Sequence, residues 1–174
     1  MKKRDIWISI AIIAAAVLLL FSFSRAKGLI KIDSGSAVTT MWLGNNWLGK
    51  TKITSKDKAC EVSARLHRPE LMRISMRQGG DTWRLESRGP WGDLSKILVK
   101  KNDTTELKLG PPFQIKPKIQ RTGSRVSMDF AIIGQAGEHY GNVIMLNNKR
   151  APAPKVKIID EAGSVLASGK FAYG

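Results

Sequence analysis

Two histidines, one cysteine and a few tryptophans and arginines are the residues on which chemistry could rest in this chain. His67 and His139 are separated by 71 intervening residues, and neither has a second ligand at i+2 or i+4. A first-row metal site needs three or four converging N, S or O ligands, so no metal site is expected. A nucleophilic triad would need Ser or Cys beside one of those histidines and a carboxylate, yet no Gly-x-Ser-x-Gly elbow is present. Cys60, the single cysteine, sits in Lys58-Ala-Cys-Glu-Val62, which reads as a strand, and is expected to be buried there. The alternatives for it are an intermolecular disulfide and a nucleophile. No catalytic residue and no cofactor is expected.

Two clusters could bind rather than react. Gly44-Asn45-Asn46 lies between Trp42 and Trp47, a hairpin tip in which indoles could stack on sugar rings while Asn45 and Asn46 bond hydroxyls. The competing reading puts both tryptophans in a β core. The second cluster is Arg84-Leu-Glu-Ser-Arg88-Gly-Pro-Trp91, where arginine forks could meet carboxylate or phosphate and stack on indole. Its competitor has Asp81, Glu86 and Asp93 already pairing with those arginines. The candidate ligand-binding set is therefore Trp42, Asn45, Asn46, Trp47, Arg84, Arg88 and Trp91. Glu138-His139-Tyr140, after Gly134-Gln-Ala-Gly137, reads as a loop between sheets with a structural tyrosine and a surface histidine.

These residues must be positioned by strands. From Lys27 onward, short alternating segments are broken every 8 to 12 residues by Gly, Pro, Asn, Asp or Ser, the rhythm of an all-β sandwich or barrel. Strands are expected over 29–32, 38–43, 47–53, 60–66, 71–76, 83–86, 97–99 and 105–109. Period two sends Met72, Ile74 and Met76 inward with Arg73, Ser75 and Arg77 outward; Ile97, Val99, Leu107 and Leu109 also point inward. In the second half Phe113, Ile115, Ile119, Val126, Met128, Phe130 and Ile132 are expected inward, followed by strands over 143–146, 156–159 and 165–173. Asp160-Glu-Ala-Gly163 is the turn of a final hairpin. Pro117 demotes its strand to an edge or bulge, with Lys116 and Lys118 as guarding charges. No fixed-period repeat is seen. Gly110-Pro111-Pro112 cannot sustain a sheet ladder and marks a domain boundary.

The N-terminus differs. Ile6 to Phe23 is an uncharged run of 18 residues behind Lys2, Lys3 and Arg4, and a span needs about 20. The preferred reading is an uncleaved single-pass anchor over residues 1–26 with the N-terminus inside. The alternative is a signal peptide cleaved after Ser24-Arg-Ala26. A lipidated cysteine is excluded, because Cys60 lies far downstream. Ala11 and Ala15 form a small-xxx-small pair of the kind that lets two helices approach. The net charge of +15 splits as +3 over residues 1–26, +7 over 27–109 and +5 over 110–174, so no single tail carries it. Such a surface attracts polyanions, and outside a cell those are anionic glycans, wall polymers or head groups rather than nucleic acid.

Between Gly28 and Pro111 the order Gly35-Ser-Ala-Val, Gly44-Asn-Asn, Leu48-Gly-Lys-Thr, Gly80-Asp-Thr-Trp and Thr104-Thr-Glu-Leu resembles PEGA-like and carboxypeptidase-regulatory-like surface modules. It departs from them in having Asp33-Ser-Gly-Ser-Ala at the entry. Residues 112–174, closing on Ala162-Gly-Ser-Val-Leu-Ala-Ser-Gly-Lys-Phe171, are similar to an immunoglobulin-like or transthyretin-like sandwich without Cys-Trp-Cys spacing. The resemblance implies an extracytoplasmic accessory or binding domain.

The expectation is an anchor (1–26) followed by two small β-sandwich units (27–110 and 111–174). Together they form a non-catalytic envelope module for an anionic polymer or another envelope protein. The alternatives are a secreted binding module and a small envelope enzyme using Cys60 or a serine with His67 or His139.

Overall fold

The computed structural model describes residues 26–44, 50–141 and 143–171. The expected anchor lies outside these residues, as do Asn45, Asn46 and Trp47. Among the described residues no helix is long and apolar enough to cross a membrane.

The described chain is all-β. In order the strands are β1 Lys27–Asp33, β2 Val38–Leu43, β3 Thr51–Thr54, β4 Cys60–Ser63, β5 Leu66–His67, β6 Pro69–Gln78, β7 Asp81–Ser87 and β8 Ile97–Leu98. They continue as β9 Thr104–Lys108, β10 Gln114–Thr122, β11 Arg125–Ile133, β12 His139–Tyr140, β13 Val143–Leu146, β14 Lys149–Arg150, β15 Lys155–Ile159 and β16 Val165–Lys170. A 3-10 turn over Gly92–Ser95 places Leu94 in the core.

Two sheets stack around that core. One has the order β4-β1-β9, with β1 antiparallel to β4 and parallel to β9. The other has the order β14-β13-β7-β6-β2-β3 and is antiparallel throughout. β1, β2 and the middle of β6 bury alternate residues, as a pleated ribbon with one wet face must. β1 buries Gly28, Ile30 and Ile32, while Lys27, Leu29, Lys31 and Asp33 face solvent. Met41, Leu43, Ile53, Met72, Ile74 and Leu85 meet them from the opposite sheet, with Val62, Leu107 and Leu109 closing the layer. The alternation expected in β6 therefore holds, Met76 being half-buried against the core.

Past Gly110 the chain divides its allegiance. β13 and β14 extend the six-stranded sheet at β7, with Ile144 opposite Leu85 and Leu146 opposite Trp83. Ala136 and Tyr140 enter the same core. Hydrogen bonds thus bridge the bend at Gly110-Pro111 from both sides.

The remaining pieces are two hairpins, β10–β11 and β15–β16, and here one expectation is corrected. Ile115, Ile119 and Val126 were expected inward but are 68%, 60% and 53% exposed. The register puts Ile115 opposite Ile132 and Ile119 opposite Met128 on one face, but β10 is exposed along its whole length and, among the described residues, that face is covered only in part. β12 borders β11 only at Ile132 and Ile133. β15–β16 covers a part, where Val126 and Met128 line a small cavity with Val156, Ile158 and Ala167. Phe130 and Phe171 meet edge-on at 4.8 Å. Pro117 sits in β10, which is an edge strand. The last hairpin turns at Asp160-Gly163, where Gly163 N–H donates to Asp160 O at 3.0 Å and Ser164 N–H to the Asp160 side chain at 2.8 Å.

Candidate functional site

The outer face of the six-stranded sheet carries the first group. Alternation in β2, β6 and β7 turns Trp42, Arg73, Arg84 and Glu86 away from the core, because Met41, Met72, Ile74 and Leu85 point into it. Arg73 lies directly across from Glu86 in the register. Its Nε and Nη2 both donate to Glu86 Oε1, at 2.9 and 2.6 Å. The held guanidinium sits over the Trp42 ring, 5.4 Å from its centroid. One indole face offered to a ligand by the sequence is thus occupied by a neighbour. The charge is compensated in place, and a cation–π contact of this kind contributes about 0.5–1 kcal/mol at such a site.

Arg84 shares that face, but its pairing differs from the sequence expectation. Glu86 is engaged by Arg73, and Asp81 accepts from Asn147 Nδ2 at 2.8 Å. The buried Arg84 Nε has no hydrogen-bond partner among the described residues. Arg88 is exposed beside a cavity of about 180 Å³ lined by Glu86, Pro90, Phe130, His139 and Tyr140. Trp91 packs against the core instead of joining Trp42. The structure therefore brings Trp42 and Arg84 to one face and sends Arg88 and Trp91 elsewhere.

The second group lies where the sequence reads as a loop, although His139 and Tyr140 form β12 beside β11. Glu138 is fully buried, and among the described residues no salt bridge reaches it. Its Oε1 accepts Gly110 N–H at 2.6 Å and the Tyr140 hydroxyl at 2.9 Å; its Oε2 accepts Ala136 N–H at 2.8 Å. Three donors replace the water that burial removes. Gly134 makes room for this: a Cβ there would lie 2.1 Å from Glu138 Oε1. The loop is tied further by Gln135 N–H to Gly110 O at 3.0 Å, Asp93 N–H to Ala136 O at 2.8 Å and His139 N–H to Pro90 O at 2.9 Å. Tyr140 is buried as expected, its ring edge-on to Phe113 at 5.3 Å. Burial and the adjacent carboxylate hold its hydroxyl far above the ordinary value for ionisation.

Cys60 is half-buried, not enclosed. Its thiol donates to Asp57 at 3.3 Å, and burial is the largest cause raising its pKa. His67 is buried, with Nε2 2.8 Å from Ser63 O and Nδ1 without a partner among the described residues. Among the described residues no hydrogen bond joins Cys60 to either histidine, and no three His, Cys, Asp or Glu side chains cluster as metal ligands.

Sequence reasoning missed Arg73 and Glu138. Arg73 was visible as an outward residue of β6, but its role depends on which strand lies alongside. Glu138 had one signal: a carboxylate flanked by Gly134, Gly137 and Tyr140 in an otherwise uncharged stretch. The chain matches no family model, no curated protein and no solved structure.

Proposed function

We propose that this is a non-catalytic, single-pass envelope protein whose extracytoplasmic β region recruits another envelope protein through its C-terminal hairpins. The observation that carries the reading is the part of the β10–β11 face that β15–β16 leaves open. Ile115, Ile119 and Val126 stand in solvent, and Lys116, Lys118, Arg121 and Arg125 flank them without carboxylate partners among the described residues. Most of β10 is also an open edge with unpaired backbone groups, which invites strand addition. Charge and apolarity together select an extended partner segment that alternates acidic and apolar residues. The apolar run Ile6–Phe23 supports the anchor, and the basic balance outside it supports an anionic partner.

A photo-crosslinking side chain at position 119 or 126 of the full chain, activated in intact envelopes, tests this. The reading expects a discrete protein adduct from both positions, none from exposed Lys56, and loss of the adduct when the other position carries Asp. A smear without a discrete band, or equal adducts from position 56, overturns it. An adduct that glycan-degrading enzymes remove would point to the anionic-polymer reading, which Lys155, Lys157 and Lys170 on β15–β16 favour.

A further inference from the structure

The start of the described chain forms part of a cavity that neither candidate group uses. Three segments meet there. Ala64 N–H donates to Ala26 O at 2.8 Å, Val99 N–H to Arg65 O at 3.0 Å and Asn102 N–H to Lys27 O at 2.9 Å. Gly28 lets them close up, since a Cβ there would fall 2.2 Å from Lys100 O. The result is an open cavity of about 470 Å³ lined by Ala26, Ala64, Arg65, Leu98, Val99, Lys100 and Lys101. Its lining joins the apolar side chains of Ala26, Ala64, Leu98 and Val99 to three cations, Arg65, Lys100 and Lys101. Leu98 is 57% exposed, and Leu66, its partner across β5–β8, is exposed beside it. Lys27 is paired with Glu61, whereas Arg65, Lys100 and Lys101 have no carboxylate partner among the described residues.

Position gives this cavity its meaning. Phe23, the last residue of the apolar run, is three Cα–Cα links from Ala26. At 3.8 Å per link those residues reach at most about 11 Å, whatever conformation they take. Beyond a hydrocarbon core of about 30 Å, the polar layer of a bilayer is about 5–8 Å deep on each side. A chain anchored by Ile6–Phe23 cannot hold Ala26 far from that layer. Three uncompensated cations are then within about one Debye length of lipid phosphates, with Leu66 and Leu98 beside them to meet the glycerol and first acyl carbons.

We propose that this cavity takes the head group of an anionic membrane lipid, Arg65, Lys100 and Lys101 meeting the phosphate, and so seats the β sandwich directly on the bilayer. The inference rests on the anchored reading above. It sets the height and tilt of the domain, and leaves the β10–β11 face for a protein partner.

The test uses the full chain in lipid nanodiscs of equal phosphatidylcholine and phosphatidylglycerol, released into native mass spectrometry to identify the lipids that stay bound. Wild type is expected to retain phosphatidylglycerol in excess. R65Q/K100Q/K101Q, all exposed positions, is expected to reduce that preference about tenfold or more. K116Q/K118Q/K155Q, with the same loss of charge away from the cavity, is expected to retain it. Equal retention of both lipids by wild type, equal loss in both triple variants, or displacement by millimolar inorganic phosphate would overturn the proposal, the last by showing a free-anion site. Failure of wild type to enter nanodiscs of either lipid would overturn the anchor, and the lipid site with it. Incorporation without preference would overturn the lipid site alone.

Discussion

Replacing Glu138 tests whether a buried carboxylate without a cation can be a net stabiliser. The side chain is fully enclosed and accepts from two backbone N–H groups and the Tyr140 hydroxyl, at 2.6, 2.8 and 2.9 Å. Glu138→Ala leaves three buried donors with no acceptor. At about 1–3 kcal/mol for each stranded group, partly relieved by water entering the space, the expected loss is about 3–5 kcal/mol. Glu138→Gln keeps the shape. Its carbonyl can still accept from Gly110 and Tyr140, but its amide then faces Ala136 N–H, donor against donor, for a loss of about 1–3 kcal/mol. Tyr140→Phe removes one donor and leaves the carboxylate two, for about 1–2 kcal/mol. Urea unfolding followed by tryptophan fluorescence reads the series, with unchanged slopes confirming that midpoints report stability. The expected order of loss is Ala, then Gln, then Phe. A Gln variant as stable as wild type, or more so, would mean that the carboxylate's desolvation outweighs its three bonds, and the reasoning would fail.

Further outcomes follow from the same geometry. The Tyr140 ionisation lies above its ordinary value of 10.0 in the folded chain. Stability from this group is therefore complete below about pH 10 and is lost as pH rises beyond it, because only the unfolded chain releases the proton. Wild type should lose about 1.4 kcal/mol per pH unit there beyond any loss in Tyr140→Phe, and parallel curves would contradict this. Gly28→Ala forces a Cβ onto Lys100 O and should cost about 1–3 kcal/mol, with thermal unfolding as the measure; a neutral result would mean the 98–102 segment is free to move. Ile119→Lys should change stability by less than about 0.5 kcal/mol, whereas Ile30→Ala should cost about 2–5 kcal/mol. Comparable losses at both sites would show that β10 is covered in solution.

Alternation made much of the fold legible. Met72, Ile74, Leu107 and Leu109 announced their buried sides, Pro117 its edge, and Asp160-Gly163 the last turn, because each depends on neighbours within a few residues. Pairing was not legible in the same way. Nothing local in Leu29–Ile32 says that its neighbour is Thr104–Leu107 running parallel, or that Val143–Leu146 belongs beside Trp83–Glu86. The outward turn of Ile115 and Ile119 has the same origin: period two gives a face, and only the tertiary arrangement says whether anything covers it. Of the candidate site, Trp42 and Arg84 were legible as candidate binding residues in two separate clusters, and Arg73 as an outward residue of its strand. The joining of all three on one face was not legible, since Arg73's partner Glu86 arrives from another strand.

The parallel pairing of β1 with β9 carries a consequence for how the chain comes into being. Leu29 finds its partner at Thr104, 75 residues later. At about 5–20 residues per second, β1 is made roughly 4 to 15 s before that partner exists. Ile30 gains its β4 partner Cys60 partway through that interval, Ile32 has no neighbour in its sheet until Leu107 is made, and the facing sheet still lacks β13. The buried face of β1, Ile30 and Ile32, is thus completed by one of the longest-range pairings in the chain, the kind of contact that slows folding because its loop must close first.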